Sequence, residues 1–270
     1  MWNGLSIGEN ALEPSINLYG ILGAVGMGIS LGVFGAGGSI LTMPIFVYLY
    51  SVQAVLATQL SLFVVGMVSL SGILRNRTKI SFQASLRFTF GILLGMAAMR
   101  KLILPSIPKE FLGTSLDTWI LATFAVVMVL ASISMLFVKL PSQVEEAKSG
   151  NRFFLFLLGV FTGLLTGFVG AGGGFLIVPA LVFFAGMPMH SATATSLLVI
   201  ALNSLVGFAF SSSFQGLPWG IILEVLGFSL IGMQLGQRIA KFLPAQRLKQ
   251  GFGVFVLIMG IYIFTHSIGS

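Results

Sequence analysis

Long apolar runs separated by short polar loops dominate the chain. The runs approach the ~20 residues that a helix needs to cross a ~30 Å hydrocarbon core, and they lack the period-2 alternation of a membrane barrel. The pattern therefore predicts an all-α polytopic membrane protein. Six helices are expected at residues 17–34, 53–74, 82–99, 117–138, 153–169 and 190–212, a seventh is expected to end near Arg238 and Lys241, and an eighth near His266.

Two of the apolar stretches are interrupted by the same glycine-rich motif. The copies read Gly35-Ala36-Gly37-Gly38-Ser39 and Gly170-Ala171-Gly172-Gly173-Gly174, and they are followed by Pro44 and Pro179. Matching positions lie 135 residues apart, which is half of the 270-residue chain. A glycine-rich interruption at corresponding places in two halves of a membrane protein points to a transporter binding site.

Each interruption leaves only a short apolar segment before the next loop. Residues 39–50 and 174–185 would each form about 18 Å of helix, which is too short to cross the membrane. We expect both segments to be half-helices that begin within the bilayer. The prediction is therefore about eight full spans plus two half-helices.

The first helix carries glycines at positions that share a face, among them Gly28 and Gly32. Small residues at this spacing allow helices to approach closely in lipid. We expect these glycines to serve helix packing rather than ligand binding.

Composition supports the membrane assignment and limits the chemistry. Hydrophobic residues make up 56% of the chain and charged residues 8%, with a mean hydropathy of +1.04. Soluble domains carry roughly 25% charged residues. The absence of cysteine excludes disulfides and thiolate metal sites, and we predict no cofactor and no metal site. The net charge of +7 lies in short loops, which favours a role in membrane orientation over nucleic-acid binding.

Loop charges divide the chain and orient it. Residues 1–138 form a first repeat, residues 139–152 a polar linker, and residues 153–270 a second repeat. The linker and the Arg75–Lys79 cluster are basic and are expected in the cytoplasm, whereas the acidic N-terminus and the uncharged loop 214–217 are expected outside. The two halves then run in opposite directions, as in an inverted-topology repeat. The mixed charges of loop 100–109 argue against this orientation.

The glycine motifs suggest how an anion could be bound. Backbone N–H groups at the start of a helix have no internal partner, and the peptide dipoles leave partial positive charge there. Glycines remove side chains that would block those groups. The alternative is that the glycines only permit a tight turn and a close helix crossing. Nucleotide motifs do not fit, since Ile40 and Phe175 stand where a third glycine is needed and no Walker lysine follows.

Polar side chains recur just after the half-helices: Thr58 and Ser61 match Thr193 and Ser196 at the 135-residue offset, whereas Gln59 matches Ala194 and Thr195 is additional in the second half. Thr58, Gln59 and Ser61 lie in the second helix, and Thr193, Thr195 and Ser196 lie in the sixth. Hydroxyls and amides are neutral donors suited to oxyanions. Serine and threonine in membrane helices also bond to their own backbone, which is the alternative interpretation. Asn203 is a weaker candidate, since its counterpart is Val68.

Glu224 is the acid that lies well inside an apolar run. An intramembrane carboxylate suggests proton coupling. The alternative is that it lies near the start of the seventh helix, where the helix dipole favours an anion.

The paired G-x-G-G-x-x-x-x-P segments, each followed by a segment like residues 192–197, resemble the sulfite exporter TauE/SafE family of membrane permeases. The resemblance covers nearly the whole chain. It implies transport of a small sulfur-containing or organic anion, such as sulfite, a sulfonate or thiosulfate, across a bacterial-type inner membrane. Gln59 departs from the threonine-serine pattern of the second copy, so we expect unequal half-sites.

The leading hypothesis is a secondary anion transporter that works by alternating access within the lipid bilayer. The alternative is a passive anion channel. An enzyme is disfavoured because the apolar segments contain no nucleophile-base pair or paired carboxylates, and a cation exchanger because the repeats carry no acid. The sequence leaves open whether the chain forms a homo-oligomer.

Overall fold

The computed structural model describes residues 18–76, 80–103, 106, 110–111, 114–137, 152–169, 171–210 and 217–268. The first half contains α1 (Leu18–Phe34), α2 (Gly38–Pro44), α3 (Ala54–Asn76), α4 (Phe82–Ala98) and α5 (Leu116–Phe137). The second half contains α6 (Arg152–Val169), α7 (Ile177–Pro179), α8 (Met189–Ala209), α9 (Trp219–Phe242) and α10 (Ala245–Ile268). These bounds lie close to those expected from the apolar runs.

Four of the described helical segments are long and apolar enough to cross a membrane. They are Leu56–Leu74, Phe82–Ile103, Met189–Ala209 and Trp219–Phe242. Shorter apolar helices surround them, including Leu18–Phe34 and Phe153–Phe168. The helical membrane class predicted from the sequence is confirmed. The 139–151 part of the predicted linker lies outside the described residues.

A small hairpin departs from the all-α expectation. Strand β1 (Glu110–Phe111) pairs antiparallel with β2 (Thr114–Ser115), with Glu110 opposite Ser115.

Both short helices after the glycine breaks change type at their proline. In the first half, α2 ends at Pro44 and the chain continues as the π-helix Ile45–Leu49. In the second half, the 3-10 helix Ala171–Leu176 leads into α7, and the π-helix Ala180–Phe184 follows Pro179. Proline lacks the N–H of a regular helical bond, so the wider turn begins there. We refer to Gly38–Leu49 as the first half-helix and to residues 171–184 as the second.

The second half-helix differs from the expected regular helix that starts at Gly174. It begins earlier, as a 3-10 turn over Ala171–Leu176. Three consecutive glycines have low α-helix propensity, so the α-helical bonds begin only after the glycines end. Gly170 lies outside the described residues.

Helices of one half pack mainly on helices of the other. The first helix of each half lies on the fourth helix of the opposite half, so that α1 packs on α9 and α6 packs on α4. The third helices, α3 and α8, pack on each other, and so do the fifth helices, α5 and α10. The two halves therefore interlock rather than forming separate domains.

Glycines permit the close approach of α1 to α9. A Cβ added to Gly28 would collide with the carbonyl of Ser229, and one added to Gly32 would lie 2.5 Å from the Met233 oxygen. The interface between α4 and α6 is built in the same way, since a Cβ on Gly91 would collide with the Phe156 carbonyl. The packing role predicted for Gly28 and Gly32 is confirmed.

Candidate functional site

The two half-helices meet at Ser39 and Gly174. A Cβ built on Gly174 would lie 2.8 Å from Ser39 Oγ, closer than unbonded atoms normally approach. Ser39 is buried, and its hydroxyl donates to the Ala36 carbonyl at 2.8 Å. Glycine at position 174 thus lets the first half-helix approach the second directly. The predicted juxtaposition of the two half-helices is present in the structure.

The first glycine turn lies against the hydroxyl-bearing segment of the other half. Gly35 has a φ of 78°, in the left-handed region that favours glycine. A Cβ there would lie 2.6 Å from Ser196 Oγ and 2.7 Å from the Thr193 carbonyl oxygen. The sequence analysis predicted Gly35, Thr193 and Ser196 as site residues. The structure brings them together across the two halves.

The same turn is closed by packed side chains. Gly35, Ala36, Gly37 and Gly38 are all buried. A Cβ on Gly37 would lie 2.7 Å from Ser30 Oγ and 3.2 Å from a ring carbon of Phe255. In this arrangement the glycines serve close packing, which is the alternative role that the sequence left open.

Several hydrogen-bond donors around the turn nevertheless form only long hydrogen bonds or none. The N–H groups of Ser39 and Ile40 reach carbonyls of the turn only at 3.3 and 3.4 Å. Ser30 Oγ is buried and has no hydrogen-bond partner among the described residues. Buried polar groups are normally paired, so these donors and this hydroxyl are unusual features of the turn.

The candidate hydroxyls mostly bond to their own helix. Thr193 donates to the Met189 carbonyl and Ser196 to the Thr193 carbonyl, each at 2.8 Å. Ser61 on α3 donates to the Ala57 carbonyl at 2.6 Å. Such bonds are common for serine and threonine in membrane helices. To donate to a ligand, these hydroxyls would have to rotate away from their present acceptors.

The remaining candidates are more scattered. Thr195 Oγ1 accepts a long hydrogen bond of 3.4 Å from the backbone N–H of Ser81. Thr58 and Gln59 are half-buried on α3. Asn203 Oδ1 is buried without a hydrogen-bond partner in the part of the chain that the structure describes. Ala171, Gly172 and Gly173 form the 3-10 start of the second half-helix.

Glu224 is bonded to a residue that sequence reasoning missed. The phenol of Tyr50 donates to Glu224 Oε1 at 3.0 Å, which joins the end of the first half-helix to α9. Burial, and then the contact with Glu224, raise the pKa of Tyr50, so the phenol remains a neutral donor. The equivalents by the 135-residue offset are Ala185 and Thr89. Ala185 has no hydroxyl to donate, and Thr89 Oγ1 is buried without a partner among the described residues.

An open pocket lies beside Thr193, between α1, α8, α9 and α10. Its cavity volume is about 30 Å³, and it is lined by Gly32, His190, Thr193, Leu197, Gln237 and Lys241 among others. Gln237 is buried and donates from Nε2 to the Gly72 carbonyl at 3.0 Å. Sequence analysis placed His190 at the start of the sixth helix and Lys241 near the end of the seventh, and it did not consider Gln237. An amide inside an apolar helix was the available signal for Gln237.

The described residues offer no metal centre. Within them, no group of three or more His, Asp or Glu side chains is placed to hold a metal ion.

Interlocked apolar helices with paired breaks define a multi-pass helical membrane protein of the transporter class. The chain belongs to the sulfite exporter TauE/SafE family, since the sequence model of that family matches residues 20–263. The family, the transporter class and the membrane location predicted from the sequence are confirmed.

Relatives along most of the chain carry transporter names. A probable membrane transporter protein of Xylella fastidiosa is 28% identical over 257 residues, which cover 90% of this chain and 93% of the relative. The probable membrane transporter protein YunE of Bacillus subtilis is 23% identical over 277 residues, which cover 93% and 96%. Sulfite exporter TauE/SafE family protein 3 of Arabidopsis thaliana is 26% identical over 112 residues, 42% of this chain and 23% of that protein. No solved structure matches the chain.

Proposed function

We propose that the protein is a secondary transporter that moves a small anion across the membrane by alternating access. The observation that carries the proposal is the contact of Gly35 with Thr193 and Ser196. In this contact the start of one half-helix, with its partial positive charge, lies beside the Ser196 hydroxyl and the Thr193 carbonyl and methyl groups of the opposite half. Neutral donors of this kind can bind an anion without the cost of a buried lysine or arginine.

The substrate class follows from the family together with this chemistry. The family name specifies sulfite, whereas the bacterial relatives are named only as probable transporters. Sulfite, thiosulfate, a sulfonate or a related organic anion would present several oxygens to donors from both halves at once. The site residues proposed from the sequence, from Gly35 to Ser39 and from Gly170 to Gly174 with the hydroxyls of α3 and α8, remain the proposed binding groups.

The packing of the helices supports an inverted repeat with eight spans and two half-helices. Exchanging the halves converts the α1–α9 contact into the α6–α4 contact and leaves the α3–α8 and α5–α10 contacts unchanged. This is the pattern expected of two halves related by a twofold axis, which in this proposal lies in the membrane plane. Movement of one half against the other would then expose the site alternately to each side.

The closed glycine turn corresponds to a state without access to the donors. Opening requires α8 to move away from Gly35, which now lies directly against Ser196. An anion in the resulting space would accept hydrogen bonds from the N–H groups of the turn. The hydroxyls of Ser30, Thr193 and Ser196 would also donate to it once they had rotated away from their present positions. We call these donors, the N–H groups of the glycine turn with the hydroxyls of Ser30, Thr193 and Ser196, the glycine cradle. The cradle forms only when α8 moves, and it is closed in the present conformation.

Proton coupling is assigned to Glu224 in this proposal. Its carboxylate accepts a hydrogen bond from Tyr50, which links the first half-helix to α9. A bond to a charged acceptor is roughly twice as strong as a neutral one. Protonation of Glu224 would weaken the link and allow the half-helix to separate from α9.

The test is a flux panel in proteoliposomes with sulfite, thiosulfate, methanesulfonate and acetate, each with and without a pH gradient. The expected result is saturable uptake of one or more sulfur oxyanions that a pH gradient drives against the concentration gradient. Flux that only runs down the concentration gradient, with the same rate in Glu224→Gln, would identify a passive channel. No flux of any of these anions would overturn the proposed substrate class.

A further inference from the structure

The pocket beside Thr193 has polar walls whose exposure falls with depth. Lys241 is exposed, His190 is half-buried, and Gln237 and Thr193 are buried. Lys241 and Gln237 are one turn apart on α9, and His190 and Thr193 are three residues apart on α8, so each pair lies on one helix face. The polar groups therefore lead inward from the surface towards the segment that contacts Gly35.

The charge around this pocket has one sign. Lys241 lines it, and none of its lining residues is a carboxylate. From Gln234 to Gln250 the chain carries Arg238, Lys241, Arg247 and Lys249 and no Asp or Glu. A cleft lined by one sign of charge with low-dielectric walls concentrates ions of the opposite sign.

Uncharged donors complement the cation. One N–H of the Gln237 amide is held by the Gly72 carbonyl, which fixes the side chain and leaves the second N–H of the same amide for a ligand. A ligand with several anionic oxygens could use these groups together.

We propose that this pocket is a recognition site for small oxyanions, in which Lys241 supplies the charge and Gln237 a fixed amide donor. The inference rests on the proposed transport function, for which the pocket would be the access site on the basic, cytoplasmic side. An anion held there is adjacent to Thr193, and therefore to the groups that contact Gly35. The occupant is a small oxyanion of sulfate or sulfonate type.

The absence of cysteine makes the site directly testable. Ala240, which lines the pocket, is replaced by cysteine as the single thiol of the full-length protein. Its reaction rate is measured with an anionic and a cationic methanethiosulfonate reagent, and each rate is divided by that of an uncharged maleimide to correct for accessibility. Sulfate and methanesulfonate serve as competing ligands, since sulfite and thiosulfate react with such reagents.

The expected result is faster reaction with the anionic reagent, slowed by sulfate or methanesulfonate. Lys241→Gln in the Ala240→Cys background is expected to slow the anionic reagent and to speed the cationic one, each on the order of fivefold, the value for one unit charge at about 4 Å in water, so that the ratio of the two rates falls by roughly 25-fold. Arg238→Gln is the matched control: it removes the same charge from an exposed residue of the same helix that does not line the pocket. It should change the ratio less than about twofold.

Three results would each overturn the site. They are equal rates for the two reagents, no protection by either competing anion, and an equal fall of the rate ratio in Lys241→Gln and Arg238→Gln. The transport proposal is tested separately by Gly37→Val. Charge selection in the pocket combined with normal flux in Gly37→Val would retain the site and reject the glycine cradle. Inactive Gly37→Val without charge selection would retain the cradle and reject the site.

Discussion

Ser39 and Gly174 are equivalent positions of the duplicated motif, and they touch each other. Ser39 Oγ lies 2.8 Å from the position that a Cβ on Gly174 would occupy. In a molecule of two related halves, a residue can meet its own equivalent only close to the axis that relates them. The contact therefore locates the centre of the proposed repeat at the starts of the two half-helices.

The first prediction uses this contact. Gly174→Ser is expected to overpack the meeting point, lowering the free energy of unfolding by about 1–3 kcal/mol and reducing flux. The exchange Ser39→Gly with Gly174→Ser should restore both, because it places one side chain and one glycine at the contact again. Thermal unfolding in detergent and flux in proteoliposomes measure the two effects. Failure of the exchanged pair to recover either quantity would contradict a direct contact.

A second prediction concerns the glycine turn itself. Gly37→Val is expected to abolish flux while the protein still inserts, since the new side chain would meet Ser30 and Phe255 and cover the backbone donors. Gly26→Val is the control, because a Cβ at Gly26 has nothing within 4 Å. Gly172→Val, at the equivalent position of the other motif, should behave like Gly37→Val. The measurement is initial uptake normalised to purified protein, and normal uptake by Gly37→Val would remove the cradle.

Gly35 allows backbone strain to be separated from contact. Gly35 and Gly186 both have positive φ angles, 78° and 64°, but only Gly35 has close neighbours at its Cβ position. Gly186→Ala is expected to cost about 1–2 kcal/mol, the strain of a left-handed non-glycine residue. Gly35→Ala should cost more, because it also displaces Ser196. Equal loss of stability in the two variants, measured by denaturant unfolding, would show that the Ser196 contact contributes nothing.

The fourth prediction tests the bond between Tyr50 and Glu224. Glu224→Gln is expected to remove the dependence of flux on a pH gradient, and Tyr50→Phe to weaken that dependence by loosening the same link. Tyr48→Phe is the control, since Tyr48 is 64% exposed and two residues away. Burial and the contact with Glu224 raise the pKa of Tyr50 above its usual ~10, so the phenol stays protonated near neutral pH and does not itself produce a pH response there.

A double-variant cycle completes this test. If Tyr50 acts only through Glu224, the combined variant should have the flux of Glu224→Gln alone. Additive losses would instead indicate that the two residues act independently, and an unchanged pH response in Glu224→Gln would exclude this acid as the coupling group.

The local sequence pattern was sufficient to predict the helices but not the contacts between them. The apolar runs and the 135-residue offset located α1 to α10 and both half-helices, because hydrophobic length and glycine breaks are local signals. The contact of Gly35 with Ser196 and the bond of Tyr50 to Glu224 join residues more than 150 positions apart. Such contacts depend on how the halves interlock, which no local pattern encodes. The amide of Gln237 inside an apolar helix was a local signal, but its partner, the Gly72 carbonyl in the other half, was not predictable from local pattern.

The bond between Tyr50 and Glu224 occurs once, and its counterpart at Ala185 and Thr89 cannot form. Two identical halves related by a twofold axis would give two symmetry-related conformations of equal free energy, so the empty protein would spend equal time open to either side. A hydrogen bond between the halves that has no symmetry-related counterpart removes that degeneracy. The substrate-free protein would therefore favour the conformation that is open to one side of the membrane. The sequence difference between the two halves would determine which side that is.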